Sequence, residues 1–276
     1  MTDKNFSFLQ NCKNAIITGA SSGIGLEYAK QLAARKINLI LLARRKDRLE
    51  EICQELSNHY DISVTYISVD LSKIDEVQKV CQEILKISPV DILINCAGFA
   101  TLGELSSVSF ETHSQMITLH INTVVALCHS IIPKMQEQNR GIIINVASIG
   151  AFIPTRGNSV YSATKAFLIT FSENINLELE RTNIIVQAIC PGFTKTEFHQ
   201  VGHFSNFDSS IIPRKLWMSV TDVVSTSLAK LKKNKVIVIP GLKNRLFVRF
   251  YQSFIIQTFI KSQRKKALKK SLNSIR

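Results

Sequence analysis

Along the chain, apolar positions come in short dense runs separated by longer amphipathic stretches. Seven runs rich in Ile, Val and Leu stand out: 14–20 (NAIITGA), 38–44 (NLILLAR), 63–70 (SVTYISVD), 91–98 (DILINCAG), 141–148 (GIIINVAS), 183–190 (NIIVQAIC) and 235–240 (KVIVIP). Near-continuous hydrophobicity over so few residues predicts strands buried on both faces, as in a parallel sheet. Between them, apolar positions recur at helical spacing over about 23–35, 46–59, 73–86, 110–136, 159–181 and 221–232. Ser72 with Asp75, and Ser219 with Asp222, read as capping boxes that start two of these helices. Strands alternating with helices imply right-handed crossovers and an α/β, doubly wound sheet of about seven parallel strands with helices on both faces. Ligands of such sheets gather beyond the carboxyl ends of the strands, where strand order reverses.

Composition adds a boundary to this picture. The 276 residues are 45% hydrophobic and 20% charged, enough for one large core. No Pro/Ser/Gly-rich linker divides them, so one domain is expected over 1–242. The net charge of +13 is concentrated: ten Lys/Arg and no acidic residue fall in 243–276, leaving 24 basic and 21 acidic side chains in the body. A nearly neutral body without a zinc-finger or RNA-reading motif argues against nucleic-acid binding. The cysteines at 12, 53, 81, 96, 128 and 190 form no Cys-x-x-Cys pair or metal-like cluster, so no metal site is expected. Dispersed reduced thiols and a polar opening, MTDKNFSFLQNCKN, predict a cytoplasmic protein without a signal peptide.

The strand ends carry the candidate chemistry. TGASSGIG, residues 18–25, sets Gly19, Ser21, Ser22, Gly23, Ile24 and Gly25 between a strand and a helix, where backbone N–H groups can cradle a pyrophosphate. After the second strand come Arg44 and Arg45, with Arg48 a turn later, where an acid would select the ribose 2′-hydroxyl of NAD. Guanidinium groups there favour a 2′-phosphate and hence NADP(H). Asp70 and the Leu71 backbone, after the third strand, are placed to meet adenine, although Asp70 serves equally as a cap for the next helix. Asn95 can tie neighbouring strands, while Ala97 and Gly98 leave room for a cofactor. In NSVYSATKAFL, Tyr161 and Lys165 stand four apart and share a helix face, so the ammonium can lower the phenol pKa and make a proton donor for a carbonyl.

With TGASSGIG, NCAG and YSATK in this order, residues 12–242 resemble the short-chain dehydrogenase/reductase family, the branch with Thr-Gly-x3-Gly-x-Gly, Asn-x-Ala-Gly and Tyr-x3-Lys motifs. The resemblance implies a Rossmann-type fold, a nicotinamide cofactor, and a catalytic set of Asn122, Ser148, Tyr161 and Lys165. Tyr161 would protonate the carbonyl, Ser148 orient it, and Lys165 bind the nicotinamide ribose. Asn122, in HINTVV, would interrupt its helix and hold a water that links Lys165 to solvent. Pro191, Gly192, Thr194 and Thr196, in CPGFTKTEF, would approach the nicotinamide carboxamide. Cys96 departs from the family, which often has a second asparagine there. The family also implies a homodimer or homotetramer built through the helices at 110–136 and 159–181.

Residues 193–218 lack clear periodicity and correspond to the family's substrate lid. They contribute Phe193, Phe198, Phe204, Phe207, Trp217 and Met218, which with Phe99, Phe152 and Ile153 suit an apolar pocket; lid packing explains them nearly as well. His199 and His203 read as surface loop residues. In the tail, Phe247, Phe250, Tyr251, Phe254, Ile255 and Phe259 recur at helical spacing over 245–260, too short and too polar to span a bilayer. A basic amphipathic helix suggests peripheral contact with an anionic membrane, and a cover for the active site or a subunit interface explains it equally. The expected function is NADPH-dependent reduction of an apolar ketone or aldehyde: a 3-oxoacyl thioester, a long-chain carbonyl or a sterol-like ketone. Oxidation of the matching secondary alcohol, or a non-catalytic cofactor-sensing or membrane-associated binding role, are the alternatives.

Overall fold

The computed structural model describes residues 9–87, 89–199, 212–233 and 235–253. Seven strands, β1 (Asn14–Thr18), β2 (Asn38–Ala43), β3 (Val64–Ser68), β4 (Ile92–Asn95), β5 (Gly141–Val146), β6 (Ile184–Ile189) and β7 (Ile237–Val238), form one parallel sheet in the order β3-β2-β1-β4-β5-β6-β7. Strand order reverses between β1 and β4, which makes this a doubly wound, Rossmann-type sheet with its ligand crevice expected at that junction.

Helices α1 (Gly23–Ala33), α2 (Lys46–Tyr60) and α7 (Val220–Leu231) cover one face. Helices α3 (Ile74–Ile84), α5 (Thr123–Glu137) and α6 (Ser159–Glu178) cover the other. Alternate strand residues feed the two cores: Ala15, Ile17, Leu39 and Leu41 pack on the first, Ile16, Ile40 and Leu42 on the second. That double burial is why the strand sequences carry so few polar positions.

The strands stop earlier than their apolar runs. β1 ends at Thr18, β4 at Asn95 and β5 at Val146, because the following small residues leave the ladder and form the loops at the carboxyl edge. Ser219 caps α7 as expected, its hydroxyl accepting from Asp222 N at 3.0 Å. Ser72 is not a cap: α3 starts after Lys73, and both the Ser72 hydroxyl and its backbone N donate to Asp70 Oδ1.

The long helix expected over 110–136 is continuous but uneven. Helix α4 (Phe110–Ile117), capped by Ser109, passes through one π-helical turn, Thr118–Asn122, into α5. The run Phe110–Glu137 is long and apolar enough to cross a membrane by length and composition alone. Here Val124, Leu127, Cys128, Ile131 and Met135 face the core. After β7, helix α8 (Leu242–Gln252) closes the described chain; Phe204, Phe207, His203 and the tail beyond Ser253 lie outside the described residues.

Candidate active site

The turn after β1 is shaped by contact with the turn after β4. Gly19 has φ 67°, and a β-carbon on it would sit 2.8 Å from Ala97 Cα. The Thr18 hydroxyl, which sequence reasoning passed over, fixes that approach by accepting from Cys96 N at 2.9 Å and Ala97 N at 3.0 Å. Beyond the turn, α1 starts with no side-chain cap on Ser22 and no acid in its first turn. Its positive end is therefore left for an anion, as a bound pyrophosphate requires.

The arginines sit beside this loop. Arg45 donates from Nε to Ser21 Oγ (3.2 Å) and from Nη2 to Ser21 O (3.3 Å), and pairs through Nη1 with Glu197 Oε2 at 3.0 Å. Arg44 is exposed next to it, and Arg48 pairs with Glu51 at 2.8 Å. Among the residues flanking the end of β2 there is no carboxylate to meet a ribose 2′-hydroxyl, and the cationic set suits a 2′-phosphate. At the end of β3, burial works against ionisation of Asp70, but the Ser72 hydrogen bonds and the charges of Arg44 and Lys73 outweigh it and hold the carboxyl below its usual range. Leu71 is buried, its carbonyl taken by the Thr123 hydroxyl at 2.7 Å.

Asn95 ties neighbouring strands. Its side chain is buried and donates to Asn145 Oδ1 at 2.8 Å, while Asn145 donates to Ser172 Oγ at 2.9 Å. It ties β4 to β5 and α6 instead of facing the cofactor side. After β6, Pro191 accepts from Ile149 N, Thr194 is buried and donates to Gly192 O, and Thr196 lies over the glycine loop, its Cγ2 3.1 Å from where a Gly23 β-carbon would be. The two ends of the lid are pinned together: Met218 N donates to Phe193 O and Lys195 N to Met218 O. Phe193 packs on Trp217, with ring centres 5.6 Å apart.

Ser148, Tyr161 and Lys165 converge beyond β5. Ser148 starts a short 3-10 turn, accepting from Gly150 N at 3.0 Å; the spot above Gly150 lies 3.3 Å from Ser148 Oγ and 3.6 Å from Tyr161 Cε1. Lys165 is buried, its ammonium 2.8 Å from Val146 O and 5.8 Å from the Tyr161 ring centre. Burial pushes the Lys165 pKa down to about 8, against the pull of Cys96 and Cys190. The expected lowering of the Tyr161 pKa by Lys165 does not occur here: burial raises the phenol, and only the Ser148 hydroxyl draws it back. The desolvation of the phenolate outweighs an ammonium that is bonded elsewhere.

Asn122 is exposed and ends the π-helical turn Thr118–Asn122, so the helix is interrupted there as expected. His120, two residues earlier, is the side chain that packs against Tyr161 and Lys165. It is 1% exposed, its ring centre 5.9 Å from that of Tyr161, and a β-carbon on Gly98 would meet His120 Nε2 at 2.7 Å and Lys165 Nζ at 3.6 Å. Phe99 N donates to His120 Nε2 at 3.2 Å, so that nitrogen carries no proton. Nδ1 lies 2.8 Å from Thr164 Oγ1, whose own proton goes to Tyr161 O, so Nδ1–H is the donor. Burial and then the Lys165 charge push the imidazole well below its ordinary pKa, in keeping with this neutral tautomer. The helical pattern held the signal: Met116, His120, Val124, Leu127 and Ile131 fall on one buried face, whereas Asn122, Val125 and His129 fall on the exposed one.

A family model described as short chain dehydrogenase matches residues 13–203. The chain is 36% identical over 193 residues to an NADP-dependent 3-hydroxy acid dehydrogenase of Schizosaccharomyces pombe, covering 68% of this chain and 74% of that protein. It is 29% identical over 197 residues to very-long-chain 3-oxoacyl-CoA reductase-A of Danio rerio, covering 68% and 60%. A solved short-chain dehydrogenase from Sphingobium yanoikuyae in complex with NADPH aligns with TM-score 0.78 and 30% identity over 93% of this chain and 95% of that one.

Proposed function

The chain belongs to the short-chain dehydrogenase family of oxidoreductases, and from that premise we propose that it uses NADPH to reduce an apolar ketone or aldehyde. The candidate substrates are a 3-oxoacyl thioester, a long-chain carbonyl or a sterol-like ketone. The observation that carries this reading is the convergence of Ser148, Tyr161 and Lys165 beyond β5, next to the glycine loop at the β1–β4 junction. When bound, the nicotinamide supplies the hydride.

The chain's own residues do the remaining work. Tyr161 keeps its proton in the resting site and donates it to the carbonyl oxygen; the Ser148 hydroxyl bonds to that oxygen and orients it. Lys165 holds positive charge beside the developing phenolate, and its ammonium can exchange the Val146 carbonyl for cofactor hydroxyls. His120, neutral and bonded on both nitrogens, sets the distance between the loop after β4 at Phe99 and the first turn of α6 that carries Tyr161. Phe198, whose ring centre is 6.2 Å from that of Tyr161, gives the phenol an apolar neighbour, and Phe99 packs on His120 at 6.1 Å, which supports an apolar substrate. Arg44 and Arg45 support NADP(H) over NAD(H), as do the NADP and NADPH in the names of the fission-yeast relative and the Sphingobium neighbour. The names of the two curated relatives support an acyl-type substrate. Free thiols at all six cysteines support a reducing, cytoplasmic setting.

The test is NADPH oxidation against 3-oxoacyl thioesters, aliphatic aldehydes and steroid ketones, with Tyr161→Phe alongside. We expect turnover that falls roughly 10²-fold or more in the variant and is slower with NADH. A Tyr161→Phe enzyme with near wild-type turnover removes Tyr161 as the acid. Tight NADPH binding with no turnover in either direction favours a cofactor-sensing role.

A further inference from the structure

Helix α8 is held to the body by a narrow face. Asn244 and Val248 are buried, and the Asn244 amide donates to Pro240 O at 3.0 Å and lies against Gly192. The opposite face carries Leu242, Leu246, Phe247 and Phe250, exposed by 62, 57, 52 and 61%. On a helical projection these four fill one continuous sector opposite the buried residues, with Lys243 within it and Arg245 and Arg249 along its border. Scattered apolar side chains on a surface are ordinary, but four on one helix, ordered by a buried anchor, form a patch that needs an occupant.

Charge identifies the occupant. Helix α8 has no acidic residue, and the 23 residues after Ser253 add seven Lys/Arg and again no acid. Arg245 and Arg249 also line an open groove of about 450 Å³ with Ile239 and Gln252. A second copy of this chain would bring a further +13 of net charge against the same basic segment, so self-association through this face is opposed. An apolar stripe bordered by cations and followed by a polybasic segment is what an anionic bilayer surface accepts: the rings enter the acyl boundary while the basic groups meet the headgroups.

We propose that the exposed face of α8, with Lys243, Arg245 and Arg249 beside its apolar side chains, docks this protein onto an anionic lipid bilayer. The docking helix begins beside Gly192 and Met218, at the wall of the site, so the body is oriented with its carboxyl edge next to the membrane.

The test uses the full chain with vesicles of phosphatidylcholine, alone or mixed with phosphatidylglycerol, read by co-sedimentation at low and high salt. We expect binding at least about tenfold tighter to the anionic vesicles, weakened by salt. Leu246→Glu with Phe250→Glu should abolish it while leaving the sedimentation coefficient and NADPH turnover on a short, soluble carbonyl unchanged. Lys243→Gln with Arg245→Gln and Arg249→Gln keeps the apolar stripe, and should reduce the preference for anionic vesicles; it carries the test if the first variant does not fold. The proposal is overturned if the wild-type chain fails to bind anionic vesicles, if both variants bind as it does, or if the glutamate variant instead changes the oligomeric state. Turnover is read separately in solution, so loss of the reductase reading leaves this result standing.

Discussion

A buried histidine whose two nitrogens are committed to fixed partners has one protonation state. In His120, Nε2 accepts from Phe99 N and Nδ1 donates to Thr164, so replacing the ring by a phenyl of similar shape removes the acceptor of that backbone N–H and the donor to Thr164 Oγ1, which keeps its own bond to Tyr161 O. His120→Phe is expected to destabilise the fold by about 1–3 kcal/mol and to lower kcat about ten- to a hundredfold by loosening the first turn of α6. Asn122→Ala, at an exposed position, should change neither by more than experimental scatter; steady-state kinetics and urea melts of the two variants separate the assignments. The same residue gives a pH signature. Unfolded, its imidazole gains a proton near 6.5, and folded only well below that. Between those values the unfolded chain binds more protons, so stability is complete above 6.5 and declines as pH falls beneath it, by up to about 1.4 kcal/mol per pH unit. Urea melts at pH 7.5 and 5.5 should show this slope in the wild type and a shallower one in His120→Phe. Lys165, lowered from 10.5 to about 8, acts in a separate window above neutrality.

At the scale of elements, the sheet has two ends with different tasks. The carboxyl ends release their chain into the glycine loop, the Asn-Cys-Ala-Gly turn and the Ser148 turn, whereas the amino ends are clamped. Asp91, just before β4, has a side chain 1% exposed that accepts from Lys13 N at 2.7 Å and Asn14 N at 3.1 Å and pairs with Arg140 Nε at 3.0 Å. Asp91→Ala should cost about 1–3 kcal/mol of stability, because it orphans two backbone donors, while Arg140, 43% exposed, is left to water. Its KM for substrate and cofactor, measured well below the melting temperature, should stay near wild type. A large rise in KM would mean that the two ends are coupled. The elements themselves were legible because double burial writes itself as dense Ile/Val/Leu runs, and the glycine loop and Tyr161–Lys165 pair because their function depends on local spacing. His120 went unread because a motif fixes a region while the helix phase, set by Met116 and Val124, fixes which buried side chain packs there. Asp91 and Thr18 went unread because the backbone groups they bind lie more than 70 positions away in sequence.

For the whole molecule, the question is what covers the outer face of the helices that carry the site. Helices α5 and α6 leave a groove of about 350 Å³ lined by Val125, Cys128, His129, Ile132, Phe167 and Phe171, where the last two rings stack at 5.5 Å. Val125 and Leu177 stand exposed on these two helices at 37 and 62%. Unlike α8, this groove is lined by no Lys or Arg among the described residues, and Glu178 is its one acidic side chain, so a second copy meets no cationic barrier there. The isologous contact of a two-fold dimer would pair groove with groove and bury the outer side of α6, stiffening the helix that holds Tyr161 and Lys165. Sedimentation equilibrium should therefore find the wild-type chain as a dimer or tetramer at micromolar concentration, and its melting temperature should rise with protein concentration. Val125→Arg with Leu177→Arg, both on exposed positions, should yield a folded monomer whose melting temperature no longer depends on concentration. Because Tyr161 and Lys165 lie on α6 itself, that monomer should also turn over more slowly; a fully active monomer would mean that α6 is held by its own sheet alone.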